Sequence, residues 1–220
     1  MEKIIIIGAS GHAGVVIDIV EQENKYQIVA LFDSSNNLGA SAFGYPIIGR
    51  EGDLSQCITS FGIKNGIIAI GDNWTRYKIM VGVLNCYPDF TFVRAIHPSA
   101  QIGKGVSLGH GAVVMPNCVI NREAIIGNFS IVNTGATLDH QSVLGHFASL
   151  APGVTTGGNV QIGDFSAIGI GACVKHNVSI GENTVIGAGS VVLEDCPSYV
   201  VSYGSPARIV RTRKAGDKYL

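Results

Sequence analysis

The chain has 220 residues, enough for one large domain or two modest ones. Its 15 basic and 16 acidic side chains leave a net charge of −1, which excludes the positive field expected of a nucleic-acid or anionic-membrane binder. Only 14% of residues are charged while 29 are glycine, a balance that points to tight turns and large buried faces, contacts between subunits included.

The apolar run at 4–7 ends at once in Gly8 and reads as a buried strand, not a signal peptide. A glycine-rich turn, GASGHAG, follows over 8–14. A helix continues over 15–22 and a second strand runs over 28–33, making one βαβ unit. A strand over 66–71, a helix over 73–85 and a strand over 91–95 complete a small, parallel, Rossmann-like α/β domain, residues 1–93. The turn opens a helix, where unpaired N–H groups and the helix dipole favour phosphate. Asp33 closes the second strand about twenty residues on, where dinucleotide folds place a ribose-binding carboxylate. The spacing is G-x-x-G-x-x-G, not G-x-G-x-x-G, which leaves a structural turn and a nucleotide site both open. It counts against NAD more than against a nucleotide diphosphate.

From Ile96 onward a six-residue period takes over. Stepping by six from Ile96 to Val192 meets seventeen positions, of which sixteen are Ile, Leu or Val and the other is Thr156. Four residues after each, every position is Ala, Ser, Thr, Cys or Val. Glycine directly follows the anchor in nine hexads and is expected to relieve backbone strain there. Each hexad is one short strand and a corner, with the aliphatic anchor pointing inward and the small residue filling the space beside the corner. Three hexads close a triangular coil of 18 residues, and coils stack about 4.7 Å apart. The expected fold is therefore α/β plus all-β, with a parallel β-helix and its tail over 94–220 and nearly six coils.

No run approaches the ~20 apolar residues that span a bilayer, so no membrane span is expected, and the scattered cysteines suit a cytoplasmic location. Cys57, Cys86, Cys118, Cys173 and Cys196 show no C-x-x-C spacing, which predicts free thiols without a disulfide framework or zinc site.

The two halves together resemble the bacterial sugar acetyltransferases of the sialic-acid O-acetyltransferase and bacillosamine-type N-acetyltransferase family. The carrying segments are IIIIGASGHAGVV (4–16), ALFD (30–33), YPIIG (45–49), AIGDN (69–73), IHPSA (96–100), NTGATLDHQSVLG (133–145) and GSPARIV (204–210). The resemblance implies a left-handed β-helix, a homotrimer, acetyl-CoA in the groove between neighbouring β-helices and a nucleotide-linked sugar on the N-terminal domain. By position it implies His140 as general base with Asn133 close by. Ser10, Gly11, His12, Asp33, Ser34 and Gly71 would hold the nucleotide-sugar, while Ser149, Ile170 and Ala188 would line the acetyl-CoA channel. Two positions depart from the family pattern. Gln141 stands where some members carry a glutamate that raises the basicity of the histidine. Ser149 stands where another histidine meets the thioester carbonyl; a serine can still donate there, so the change reads as tuning.

The chemistry suits these residue types. An amine or hydroxyl must lose a proton as it attacks a thioester, and imidazole titrates close to neutrality. The oxyanion then needs N–H or hydroxyl donors. No acyl-enzyme is required. The implied reaction moves acetyl to the 4-amino group of a nucleotide-linked 4-amino-4,6-dideoxy sugar. Sugar O-acetylation and a non-catalytic nucleotide-sugar scaffold stand as alternatives. By spacing alone His140 is outward, where a surface histidine and a catalytic one are both open. His176 lies two coils on, roughly 9–10 Å away, too far to share a metal within one chain, so no metal is expected. The basic segment 208–214 is either a contact for CoA phosphates or a solvated terminus.

Overall fold

The computed structural model describes residues 1–34, 38–50, 53–54, 58 and 62–219. Cys57 lies outside them; the other four cysteines are free.

The N-terminal part is a six-stranded sheet. Its strands are β1 (Glu2–Ile7), β2 (Tyr26–Phe32), β3 (Ser41–Ala42), β4 (Tyr45–Gly49), β5 (Asn65–Ile68) and β6 (Thr91–Phe92), in the order β3-β4-β2-β1-β5-β6. All neighbours run parallel except the β3–β4 hairpin. Strand β1 is central, and Ile4, Ile5, Ile6 and Ile7 are all buried, as a strand covered on both faces requires. Helix α1 (Gly11–Glu23) starts four residues earlier than its periodicity suggests, so most of the glycine-rich segment is its first turn. Helix α2 (Asn73–Cys86) is capped by Asp72, whose Oδ1 accepts the Thr75 N–H at 2.8 Å.

The hexads form a parallel β-helix from Ala95–Ile96 to Val191–Val192, with its two-residue strands sorted into three sheets that give nearly six coils. Each strand pairs with the one 18 residues on, as Val113 with Ile131 and Ile131 with Ser149. Every anchor from Val114 to Val192 is at most 4% exposed, whereas Ile102 in the first coil is 40% exposed. The residues four beyond the anchors are inward as expected. Four of the hydroxylic ones, Ser130, Ser142, Ser166 and Thr184, satisfy main-chain carbonyls: Ser130 donates to Gly145 O at 2.7 Å and Ser166 to Gly181 O at 2.6 Å.

The role expected for the repeat glycines needs correction. The strained corner is three residues after the anchor, where fifteen successive hexads, 105 to 189, all have positive φ; nine of those residues are not glycine, Gln141 and Phe147 among them. The glycines directly after the anchors are there for space. A Cβ on Gly127 would sit 2.6 Å from the Gly145 carbonyl carbon, and one on Gly103 2.7 Å from the Arg122 nitrogen. Adjacent coils approach too closely at that point for any side chain.

The two parts share one core, in which Ala13, Ile17 and Val20 of α1 cluster with Ala95, Val113 and the anchors of the β-helix. A second junction is made along one edge of the prism. Phe129, Phe147 and Phe165 occupy the left-handed corner of successive coils, and their rings stack at 4.9 and 5.2 Å. Tyr77 and Trp74 of α2 pack against that ladder. Beneath them Arg76, fully buried, donates to Phe129 O at 3.0 Å and Phe147 O at 3.1 Å, while Asn73 Nδ2 donates to Phe165 O at 3.3 Å. The first turn of α2 thus spans three consecutive coils. Past the last hexad the chain closes the solenoid with an antiparallel hairpin, Val200–Gly204 and Ala207–Thr212, whose first strand extends one sheet of the β-helix.

Candidate active site

The glycine-rich segment separates into two kinds of glycine. Gly8 has φ +124° and a Cβ there would lie 2.6 Å from Ala69 O; on Gly14 it would meet Phe43 at 2.7 Å. Gly8 is demanded by the fold, whereas Gly14 leaves room for the ring of the exposed Phe43. Gly11 has neither constraint, with nothing within 4 Å of where its side chain would be, so the N-terminal end of α1 is open to a ligand. Ser10 and Ser34 are exposed beside it, and Ser10 makes no side-chain cap to the helix. Asp33 is buried and its Oδ2 accepts the Ala9 N–H at 2.7 Å, tying the end of β2 to the loop.

His12 turns inward from the same turn. Its Nε2 is buried without a hydrogen-bond partner, and burial, helped by the charge on Arg76, pulls its pKa down to about 4, so the ring is neutral at physiological pH. It faces a cavity of about 430 Å³ between the N-terminal part and one face of the β-helix. The floor is made by outward residues of successive coils, Ile131, Ser149, Ala167 and Val185; Asn133, Ile170 and Ala188 form the adjoining edge, and Gly71 closes the wall near His12. Of the residues singled out from sequence, His12, Gly71, Asn133, Ser149, Ile170 and Ala188 therefore converge. Tyr219, which sequence reasoning did not single out, joins them. Its hydroxyl accepts the Asn73 N–H at 3.0 Å and donates to Gly71 O at 3.4 Å, folding the C-terminal tail against the start of α2. The neighbouring Arg213 turns in to donate to Asn183 O at 3.1 Å, while Arg208 and Arg211 stay exposed on the hairpin.

His140 is placed elsewhere. It follows the strand Thr137–Leu138, at the corner that ends the next face of the prism, and does not line the cavity. Asn133 and His140, seven residues apart, are thus on different edges of one chain. The His140 imidazole is exposed and has no hydrogen-bond partner among the described residues, whereas its main chain is firmly held. Asp139 Oδ1 accepts the His140 N–H at 2.7 Å and Asn121 Nδ2 at 2.6 Å, two bonds that lower its carboxyl pKa, the Asn121 bond first. Asp139 therefore orients the turn and not the ring. Gln141, at φ +57°, reaches toward Glu123 one coil back at 3.5 Å. Among the described residues no group of three or more His, Cys, Asp or Glu side chains is arranged to hold a metal ion.

Two family models match the chain: the PglD N-terminal domain over residues 3–83 and the bacterial transferase hexapeptide (six repeats) over 99–134 and 159–194. A search of the curated proteins finds no match. Among solved structures, the GDP-perosamine N-acetyltransferase from Caulobacter crescentus, in complex with CoA and GDP-perosamine, is 36% identical. It covers 96% of this chain and 98% of its own, with a TM-score of 0.89. This chain belongs to the family of hexapeptide-repeat nucleotide-sugar N-acetyltransferases. Another member is the acetyltransferase domain of PglB from Neisseria gonorrhoeae FA1090 in complex with acetyl coenzyme A. It is 32% identical over 95% of this chain and 99% of that one, TM-score 0.86. As a family member the chain is an acetyl-CoA-dependent sugar N-acetyltransferase, with acetyl-CoA as its co-substrate.

What sequence reasoning missed in this N-acetyltransferase are the contacts between its halves. The 18-residue spacing of Phe129, Phe147 and Phe165 was a readable signal, since it puts three aromatic rings on one edge. Nothing marked Arg76 or Tyr219, which are single residues without a repeat, and Asn73 stood only as the end of the AIGDN segment.

Proposed function

We propose that the protein acetylates the 4-amino group of a nucleotide-linked 4-amino-4,6-dideoxy sugar, with His140 as general base and no acyl-enzyme. The observation that carries this is the convergence of a neutral, unpartnered His12, carried by the first turn of α1, and the Ser149–Ile170–Ala188 wall on one cavity, in a chain whose relatives bind GDP-perosamine and CoA. The α1 turn and Asp33 hold the nucleotide and direct the sugar toward the β-helix. His140 removes the proton from the amine as its nitrogen bonds to the thioester carbonyl. Ser149 donates to the oxyanion, the C–S bond breaks and the thiolate is protonated as it leaves.

In this reading the enzyme works as a cytoplasmic homotrimer. What supports the trimer is the separation just described: the cavity and His140 lie on different edges of the prism, so one chain's His140 serves the cavity of its neighbour. Two structures of the Caulobacter enzyme are variants in which one histidine is replaced, and both hold CoA and GDP-perosamine, which agrees with a histidine that matters for turnover. The test is thiol release from acetyl-CoA with UDP-, dTDP- and GDP-linked 4-amino sugars, for the wild type and His140→Ala. We expect turnover of one amino sugar and a loss of 10²- to 10⁴-fold in the variant. Turnover that survives the substitution removes His140 as base, and inactivity toward every amine removes the acceptor.

A further inference from the structure

The repeat breaks its own rules in one hexad. Thr156 is the single inward anchor that is not aliphatic, and Gly158 is the single glycine among the seventeen residues that stand two beyond an anchor. Both belong to the coil stacked directly on His140, since Asn159 N–H bonds His140 O at 2.8 Å. Thr156 holds the main chain of that turn, its hydroxyl accepting the Asp139 N–H at 3.0 Å.

Gly158 has no internal reason to be glycine. Its φ lies outside the left-handed region. A Cβ on its neighbour Gly157 would strike the backbone nitrogen of His176 at 2.6 Å, the ordinary constraint between coils. On Gly158 the three nearest atoms would all belong to the imidazole of His140: Nε2 and Cε1 well inside van der Waals contact, and Cδ2 at 3.0 Å. The ring lies in the space that a side chain at 158 would fill.

We infer that Gly158 is a positioning residue for His140. The missing side chain seats an imidazole that has no hydrogen bond of its own against the next coil and fixes the direction in which its nitrogen points. This inference rests on the reading of His140 as the base. Because the obstructing group is the free end of an exposed side chain, a methyl group at 158 displaces the ring without disturbing the coil.

The experiment is a double-mutant cycle on the assembled enzyme: wild type, Gly158→Ala, His140→Ala and the double variant, assayed by acetyl transfer with thermal melting alongside. Gly158→Ala should lower kcat about a hundredfold, since misplacing a catalytic group by about 1 Å costs that much. KM values should stay within about threefold and Tm within about 2 °C. The double variant should match His140→Ala alone. Activity of Gly158→Ala within threefold of wild type, an equal further loss in the His140→Ala background, or loss of folding or assembly would each overturn the inference while leaving the base in place. Full activity of His140→Ala would bring down both.

Discussion

His12 shows how burial, helped by a nearby charge, shapes one side chain. Its ring is neutral because the α1 turn removes it from water and places it near the charge of Arg76. A histidine whose folded pKa is depressed binds fewer protons than in the unfolded chain between pH 6.5 and about 4, so stability falls as pH falls through that window. Most of the penalty is in place at pH 4, and from the shift it reaches about 3 kcal/mol. His12→Gln should therefore flatten the acid limb of the Tm profile between pH 6.5 and 4 and leave the neutral values nearly unchanged. A profile identical to the wild type would show that other groups set the acid limb. His140, the proposed base, has the opposite environment, an exposed ring on a rigid main chain.

Among the elements, α2 carries the connection between the two halves. Arg76 donates to Ile70 O at 3.1 Å, Gly71 O at 2.6 Å and Asn73 Oδ1 at 2.7 Å besides the two phenylalanine carbonyls. Burial lowers its pKa to about 10, which still leaves it charged at neutral pH. Arg76→Met leaves these acceptors buried and unpaired, at about 3–5 kcal/mol. For a chain of this size that is a drop of about 10 °C in Tm, and calorimetry should resolve separate transitions for the two parts. A single transition within about 2 °C of the wild type would show that the stacked rings suffice.

At this scale the limits of sequence reading are physical. The β-helix was legible because anchors, small residues and corners repeat together, so sixteen aliphatic anchors outvote Thr156. Helix α2 and strand β1 were legible from local pattern. The β3–β4 hairpin and the closing hairpin were not read, because short antiparallel strands at an edge or end leave little periodicity. The corner strain was assigned to the wrong glycines because composition cannot distinguish a residue chosen for φ from one chosen for the space it leaves. Six of the candidate site residues meet at the cavity, all drawn from the family resemblance. The separation of Asn133 from His140 was hidden because seven residues here carry the chain from one edge of the prism to the next.

For the whole molecule, the proposed division of the site between neighbouring chains of a trimer predicts complementation. Ile170→Arg fills the cavity edge but leaves His140 intact; His140→Ala does the reverse. Each alone should be inactive. Co-expressed in equal amounts, randomly assorted trimers should regain about one quarter of wild-type activity, because one site in four draws both intact parts. No recovery in verified mixed trimers would place the whole site within one chain. No helix among the described residues is long and apolar enough to cross a membrane.

The 18-residue column spacing has a consequence for how such a chain can change length. An insertion of six residues would keep every anchor inward and every corner in place, so the β-helix would still form. Yet each later column would turn by a third of a circle: placed between His140 and Gly158, the insertion would carry the glycine away from the histidine, and placed between Ser149 and Ile170 it would split the wall that these residues share with Ala188. Only gains or losses of whole coils preserve fold and chemistry together, and only outside the coils that carry the site. Coil number, and not loop length, is the unit in which this architecture can change.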